Sequence, residues 1–183
     1  AEHARKGEPA HIIAKMNSLC DQGIIAALYE ASAAGVEIEL IVRGICCLKV
    51  GIPGISEHIS VRSIVGTFLE HSRIYYFRNG GEEEVYLSSA DWMPRNLDRR
   101  VEILFPIENE HLKKEVMHIL DIQLKDTLKA QVKKPDGTYE KVDRRGKQPL
   151  CAQQYFMEYA RELAKGQQEE HVHDRTFTPA EPM

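Results

Sequence analysis

Between Arg43 and Arg100 the sequence gathers the side-chain types that phosphoryl chemistry uses. Arg43-Gly44 ends one apolar run, Glu70-His71-Ser72-Arg73 opens a second, and Ser88-Ser89-Ala90-Asp91-Trp92-Met93-Pro94-Arg95-Asn96 follows a third. A phosphoryl group in transfer spreads negative charge over its oxygens, so catalysis is mostly positioning and electrostatic stabilisation. Arginine suits that task because its fork meets phosphate oxygens two at a time. A histidine titrates near neutral pH and can serve as nucleophile or as general acid or base. Small hydroxyls and an Asn amide can donate hydrogen bonds to developing charge. Residue chemistry alone leaves plainer roles open. His71 before a strand and Arg43 at a surface would serve as structural groups. Arg73, Arg95, Arg99 and Arg100 would pair with Asp91, Asp98 or Glu102. Ser89 and Asn96 would also fit as turn or cap residues, and Trp92 fits packing better than base stacking.

The elements that must position these groups read as an α/β alternation. His11–Met16 is a short apolar run that predicts a strand, with Asn17 and Ser18 as candidate helix caps. Residues 21–34 place Ile24, Ile25, Leu28 and Ala31 or Ser32 at helical spacing, and Gly35 stops the helix. Residues 36–42 alternate as a strand. Strand, helix and strand with short connections predict a βαβ unit and parallel pairing. Ligands in open α/β sheets bind beyond the carboxyl ends of the strands, which is where Arg43 falls. Residues 59–65 read as extended, and 67–70 as a helical turn. Residues 73–77 form a strand, Asn79-Gly80-Gly81 turns a hairpin, and 84–88 return. Residues 100–106 predict a further strand. Asn109 caps a helix to about Leu128, with Leu112, Val116, Ile119, Leu120 and Leu124 on one face. Residues 133–148 are a loop or small hairpin, and 149–164 a last amphipathic helix.

Composition narrows the function classes. The chain has 183 residues, 43% hydrophobic and 28% charged, enough to bury a core without disulfide or metal staples. A formal net charge of -4 supplies no global basic field, so nucleic acid is not an expected partner and any polyanion must be gripped by local Arg and Lys residues. No apolar run approaches the ~20 residues of a membrane helix. The opening AEHARKGEPA lacks a signal-peptide segment and an initiator Met, and reads as an irregular lead-in on a fragment or processed chain. Cys20, Cys46, Cys47 and Cys151 form no CxxC and read as buried, reduced thiols. His111 and His118 lack a carboxylate partner set with metal spacing, and His171-Val172-His173-Asp174, though able to bind a metal adventitiously, reads as part of a solvated tail. The domain is expected over residues 1–165, with a lead-in at 1–10 and a mobile tail at 166–183.

His71-x-Arg73, a hairpin, then Ser88-Ser89-Ala90-Asp91-Trp92-x-x-Arg95-Asn96 resembles a degenerate phospholipase D superfamily motif. There, His-x-Lys on one strand is followed by Gly-Ser and an Asn on the next. Arg73 stands in the Lys position and Ser88-Ser89 in the Gly-Ser position, while the superfamily Asp has no match; Asn79 lies nearby. The wider likeness is to the bacterial polyphosphate kinase family of the phospholipase-D-like type. KMNSLCD at 15–21, ELIVRGICCL at 39–48, FLEHSRIYYF at 68–77 and VYLSSADWMPRNLDRRVE at 85–102 carry it, in order, from about Lys15 to Pro106.

That resemblance implies an α/β, phospholipase-D-like domain with a mixed β-sheet flanked by helices, the C-terminal catalytic-core domain of such an enzyme. It implies reversible transfer of the terminal phosphate of ATP to inorganic polyphosphate through a phosphohistidine on the preceding domain. ATP or ADP and polyphosphate are then the ligands, and the remaining domains of the same polypeptide and a homo-oligomer the protein partners. The expected location is cytoplasmic, with membrane association possible for the intact enzyme. Mg²⁺ is the expected cofactor, with its ligands outside this chain and no metal-ligating residue within it. His71 is the expected catalytic residue. Arg43, His71, Arg73, Ser89 and Asn96 are the expected ATP- or phosphate-binding residues. Two other readings remain at this point: a phospholipase-D-like phosphodiesterase or nuclease working as a dimer, and a domain that binds polyphosphate without turnover.

Overall fold

A computed structural model describes residues 1–167, and the expected tail lies outside that range except for its first two residues, which continue the last helix. The chain builds one eight-stranded mixed sheet flanked by helices, in the order β6-β5-β4-β1-β2-β3-β7-β8. The strands are β1 Ala10–Met16, β2 Glu37–Val42, β3 Ile59–Ile64, β4 Arg73–Asn79, β5 Glu82–Ser88, β6 Leu104–Pro106, β7 Ala130–Lys133 and β8 Tyr139–Lys141. The helices are α1 Glu2–Arg5, α2 Gln22–Ala33, α3 Pro94–Arg99, α4 Glu110–Leu124 and α5 Ala152–Gln167. The predicted βαβ unit is β1-α2-β2, and β1 pairs with β2 in parallel, as β2 does with β3. The other neighbours pair antiparallel.

Strand alternation sends side chains to two cores. Ala14, Met16, Ile38, Leu40, Val42 and Tyr75 face one side and pack with Leu28, Ile24, Ile25 and Tyr29 of α2. Ile13, Ile41, Ile74, Tyr76 and Val85 face the other and pack with Leu120, Val116 and Ile119 of α4. Because both faces are covered, the central strands carry apolar residues on both faces toward the ends of β1 and β2. Lys15 stands out there, a charged residue only 4% exposed on the α4 side of β1.

Register then decides which segments meet. β4 runs against β1, with Lys15 opposite Ile74, so the start of β4 lies at the end where β1 finishes. Arg73 is opposite Ser88, which brings the end of β5 there too. Ala130 is opposite Ile64, which adds the end of β3 and the start of β7. One end of the sheet therefore gathers Asn17, Arg43, the segment before Arg73, Ser89 to Asp91, and Lys129.

Several local expectations are corrected. Asn17 and Ser18 do not cap α2. Asp21 does, accepting a hydrogen bond from Ile24 N at 2.9 Å. Asp21→Ala is expected to lower stability by about 1 kcal/mol, read as a shift in the denaturation midpoint, with no comparable capping loss at Ser18. Residues 67–70 form no helical turn but an irregular strap. α3, opened by Pro94, occupies a segment with no predicted element, and of the strand expected at 100–106 only Leu104–Pro106 pairs. α4 stops at Leu124 because the Asp126 carboxylate accepts from the backbone N–H of Leu128, Lys129 and Ala130. The lead-in holds the short helix α1. The cysteines are all free, but none is buried: Cys47 is exposed and the others half-buried.

Candidate functional site

At the gathered end of the sheet a hydrogen-bonded relay joins the two principal site residues. Arg43 follows β2, and its Nε and Nη2 donate to Asn17 Oδ1 at 3.2 and 2.8 Å. Asn17 follows β1, and its Nδ2 and backbone N–H donate to Asp91 Oδ1 at 3.2 and 2.7 Å. Arg73 opens β4 and meets the same carboxylate two-pronged, Nε to Oδ1 at 3.1 Å and Nη2 to Oδ2 at 3.2 Å. Its remaining Nη1 donates to the His71 carbonyl at 2.9 Å. Asn17 and Asp91 are each 6% exposed, so the relay is fixed in the interior while its two ends reach the surface. The close approach of the Arg43 loop needs a glycine: Gly44 N donates to Asn17 O, and a Cβ at Gly44 would sit 2.8 Å from that oxygen.

Asp91 is the charge that balances this end. Burial pushes its carboxyl up, but the hydrogen bonds from Arg73 and from the Asn17 backbone, with the Arg73 charge, outweigh burial and hold it below the usual range. Lys15 shows the opposite balance. Burial pushes its ammonium down, and the nearby Glu70 carboxylate recovers only part of that, while Arg43 and Arg73 push it down further.

His71 has a held backbone and an open side chain. Lys15 Nζ donates to Ser72 Oγ at 2.9 Å and Ser72 O at 3.2 Å, and lies 3.6 Å from Glu70 Oε2. Gln123 of α4 and Gln153 of α5 both donate to the Glu70 carboxylate. Arg73 holds the His71 carbonyl. The imidazole is exposed and takes no hydrogen bond from the described residues. Such an arrangement fixes the backbone from which the ring reaches out, while the ring itself stays unbonded and open to a ligand.

The other expected contacts are placed differently. The Arg73 fork is occupied by Asp91 and the His71 carbonyl. Ser89 Oγ donates to Glu102, as does Asn96 Nδ2 at 2.6 Å, and Asn96 is buried. These two bonds hold the Glu102 carboxyl below its usual range. The structure thus brings Arg43, His71 and Arg73 into one network and gathers Ser89 and Asn96 around a carboxylate. Arg95, Arg99 and Arg100 are exposed. Trp92 stacks on Tyr75, centroids 4.7 Å apart, as a packing residue. His118 is bonded to the Tyr155 hydroxyl between α4 and α5.

Beside Arg43 lies a cavity of about 270 Å³ lined by Gly44, Ser63, Lys129, Gln131 and Tyr139. A larger one, about 580 Å³, is walled by Tyr75, Tyr86, Trp92 and Leu104 and carries Glu84 and Glu102 against the single cation Arg100, a balance that does not favour an anion. Among the described residues no three His, Cys, Asp or Glu side chains are grouped to hold a metal ion. No described helix is long and apolar enough to cross a membrane.

Lys15, Asn17 and Gln153 were not expected at the site, whereas the Arg73–Asp91 pair is the plainer of the two roles the sequence left open for Arg73. Lys15 had a signal, a lone charge inside the apolar run HIIAKM. Gln153 had none, since its partners lie more than eighty residues away.

Comparison with known proteins adds a family match. The family model described as polyphosphate kinase C-terminal domain 2 matches residues 1–153. A polyphosphate kinase of Pseudomonas aeruginosa is 57% identical over 148 residues, covering 81% of this chain and 21% of that protein. The crystal structure of polyphosphate kinase from Porphyromonas gingivalis superposes with a TM-score of 0.85 at 42% identity, covering 90% of this chain and 25% of that one. NucT from Helicobacter pylori shares the fold alone, with a TM-score of 0.51 at 11% identity over 67% of this chain and 83% of its own. The chain therefore spans about a fifth to a quarter of the length of the polyphosphate kinases it matches.

Proposed function

The chain belongs to the polyphosphate kinase family as its C-terminal domain 2, and we propose that it forms one wall of a site where the terminal phosphate of ATP is exchanged with inorganic polyphosphate. The observation that carries this reading is the pairing of a held His71 backbone with a free imidazole, at the same sheet end as Arg43. Arg43 spends Nε and Nη2 on Asn17, which aims the guanidinium and leaves Nη1 for a phosphate oxygen. When the phosphoryl group leaves ATP and bonds the nitrogen of a histidine outside these residues, the P–O bond to ADP breaks; His71 donates a proton to the ADP oxygen that gains charge and takes it back in the reverse direction. Arg73 serves by holding Asp91 and the His71 carbonyl. Ser89 and Asn96 bond to Glu102 and are assigned no contact with phosphate. The phosphorylated histidine is contributed from outside these residues.

Mg²⁺ would neutralise phosphate charge in such a reaction. The carboxylates at this site do not fit it, because Asp91 is bound by Arg73 and Asn17, and Glu102 by Ser89 and Asn96.

The test is equilibrium binding of inorganic polyphosphate to this chain at low salt. Binding should weaken as salt rises and proceed without consumption of ATP. Arg43→Ala should lower affinity about tenfold or more, the loss of a hydrogen bond to a charged group. A wild-type chain that binds no polyphosphate at low salt, or an Arg43→Ala chain that binds equally well, refutes the reading.

A further inference from the structure

The strap from residue 66 to 72 carries His71 but has no regular backbone structure of its own. Its anchor lies far away in sequence. Gln153, in the first turn of α5, donates from Nε2 to Phe68 O at 2.8 Å and accepts at Oε1 from Phe68 N at 3.0 Å. One side-chain amide thus answers both backbone groups of one residue, as a neighbouring strand would. The same Nε2 lies 3.0 Å from Glu70 Oε1. Glu70 in turn receives Gln123 and stands beside Lys15, which holds Ser72. The path from Gln153 to the two sides of His71 is therefore continuous.

Gly66 reveals how closely the amide is seated. A Cβ there would fall 2.3 Å from Gln153 Oε1 and 2.7 Å from its Cδ. Gly66 is not among the glycines with positive φ, so its backbone tolerates alanine. The missing side chain makes room for the Gln153 amide, and the amide is the far end of a flexible chain that can swing away.

We propose that Gln153 is a positioning residue for His71, and that α5 sets the reactivity of the site through this amide. The inference rests on the proposed role of His71. Displacing a reacting group by about 1 Å can cost up to a hundredfold in rate. Gly66→Ala should expel the amide without touching α5, and Gln153→Ala should remove it.

The experiment measures ATP-dependent polyphosphate synthesis by the complete enzyme carrying Gly66→Ala, Gln153→Ala or both, with kcat expressed per folded molecule. Each single variant should lower kcat about tenfold while the KM for ATP moves less than about threefold. The double variant should be no slower than either single one, because both act on the same amide. A lesion that only loosened the fold would lower the unfolding midpoint and leave kcat per folded molecule unchanged, and that result overturns the proposal. So does a double variant slowed about a hundredfold, the product of independent effects. Hydrogen exchange of the Phe68 amide in this chain is the second readout: both single variants should lose its protection, and retained protection in Gly66→Ala also overturns the proposal. A His71→Ala control separates the two ideas. If it retains full synthesis, the role of His71 falls; if it abolishes synthesis while Gly66→Ala matches wild type, only the strap proposal falls.

Discussion

His71→Ala is expected to slow ATP-dependent polyphosphate synthesis by the complete enzyme about 10²–10⁴-fold, the range of a positioned acid–base group. The fold should survive the change. The imidazole is exposed and bonded to none of the described residues, so its removal leaves no buried group without a partner. The backbone at residue 71 stays where Arg73 Nη1 holds its carbonyl. A surface substitution of this kind shifts stability by only about ±0.5 kcal/mol. His71→Gln makes the argument sharper, because the amide can still donate a hydrogen bond to phosphate but cannot transfer a proton. If binding alone mattered, His71→Gln would recover most of the rate. If proton transfer matters, it should stay within about tenfold of His71→Ala. Near wild-type synthesis by His71→Ala would remove the imidazole from the mechanism altogether.

The sequence made the frame of this site readable, because the frame follows from local rules. Alternation in residues 36–42, helical spacing in 21–34 and the Asn79-Gly80-Gly81 turn each carry their own signal, and Asn109 caps α4 as its residue type predicts. The βαβ unit then places Arg43 beyond a strand end without further information. What could not be read is where polar side chains spend their hydrogen bonds. Asn17 has the chemistry of a helix cap, and Asp21 has it too; only the register of Asn17 against Asp91, seventy-four residues on, decides between them. Ser89 and Asn96 have the chemistry of phosphate donors, and the chain instead closes them on Glu102. The strap at 66–72 has no periodicity to read, since its conformation is imposed by Lys15, Gln123 and Gln153 from three other elements.

Asp91→Ala is expected to be the most destabilising change at the site, costing about 3–5 kcal/mol as the partner of a buried ion pair. The side chains of Arg73 and Asp91 are 12% and 9% exposed, so water replaces little of what the carboxylate supplies. Without it the Arg73 guanidinium keeps only the His71 carbonyl, and the Asn17 backbone N–H loses its acceptor. The effect depends on pH with a definite sign. The folded-state pKa of Asp91 lies below its ordinary value, so its contribution is complete above the unfolded pKa of about 3.9 and is lost as pH falls through the folded value. Denaturant midpoints of wild type and Asp91→Ala should therefore differ most near neutral pH and converge below about pH 4. Arg73→Leu combined with Asp91→Ala should recover part of the loss, because no unpaired charge then remains buried. A gap that is equally wide at pH 3 and pH 7 would show that Asp91 acts by packing rather than by charge. At any pH, Asp91→Ala also breaks the link between Arg43 and His71 that the relay through Asn17, Asp91 and Arg73 provides.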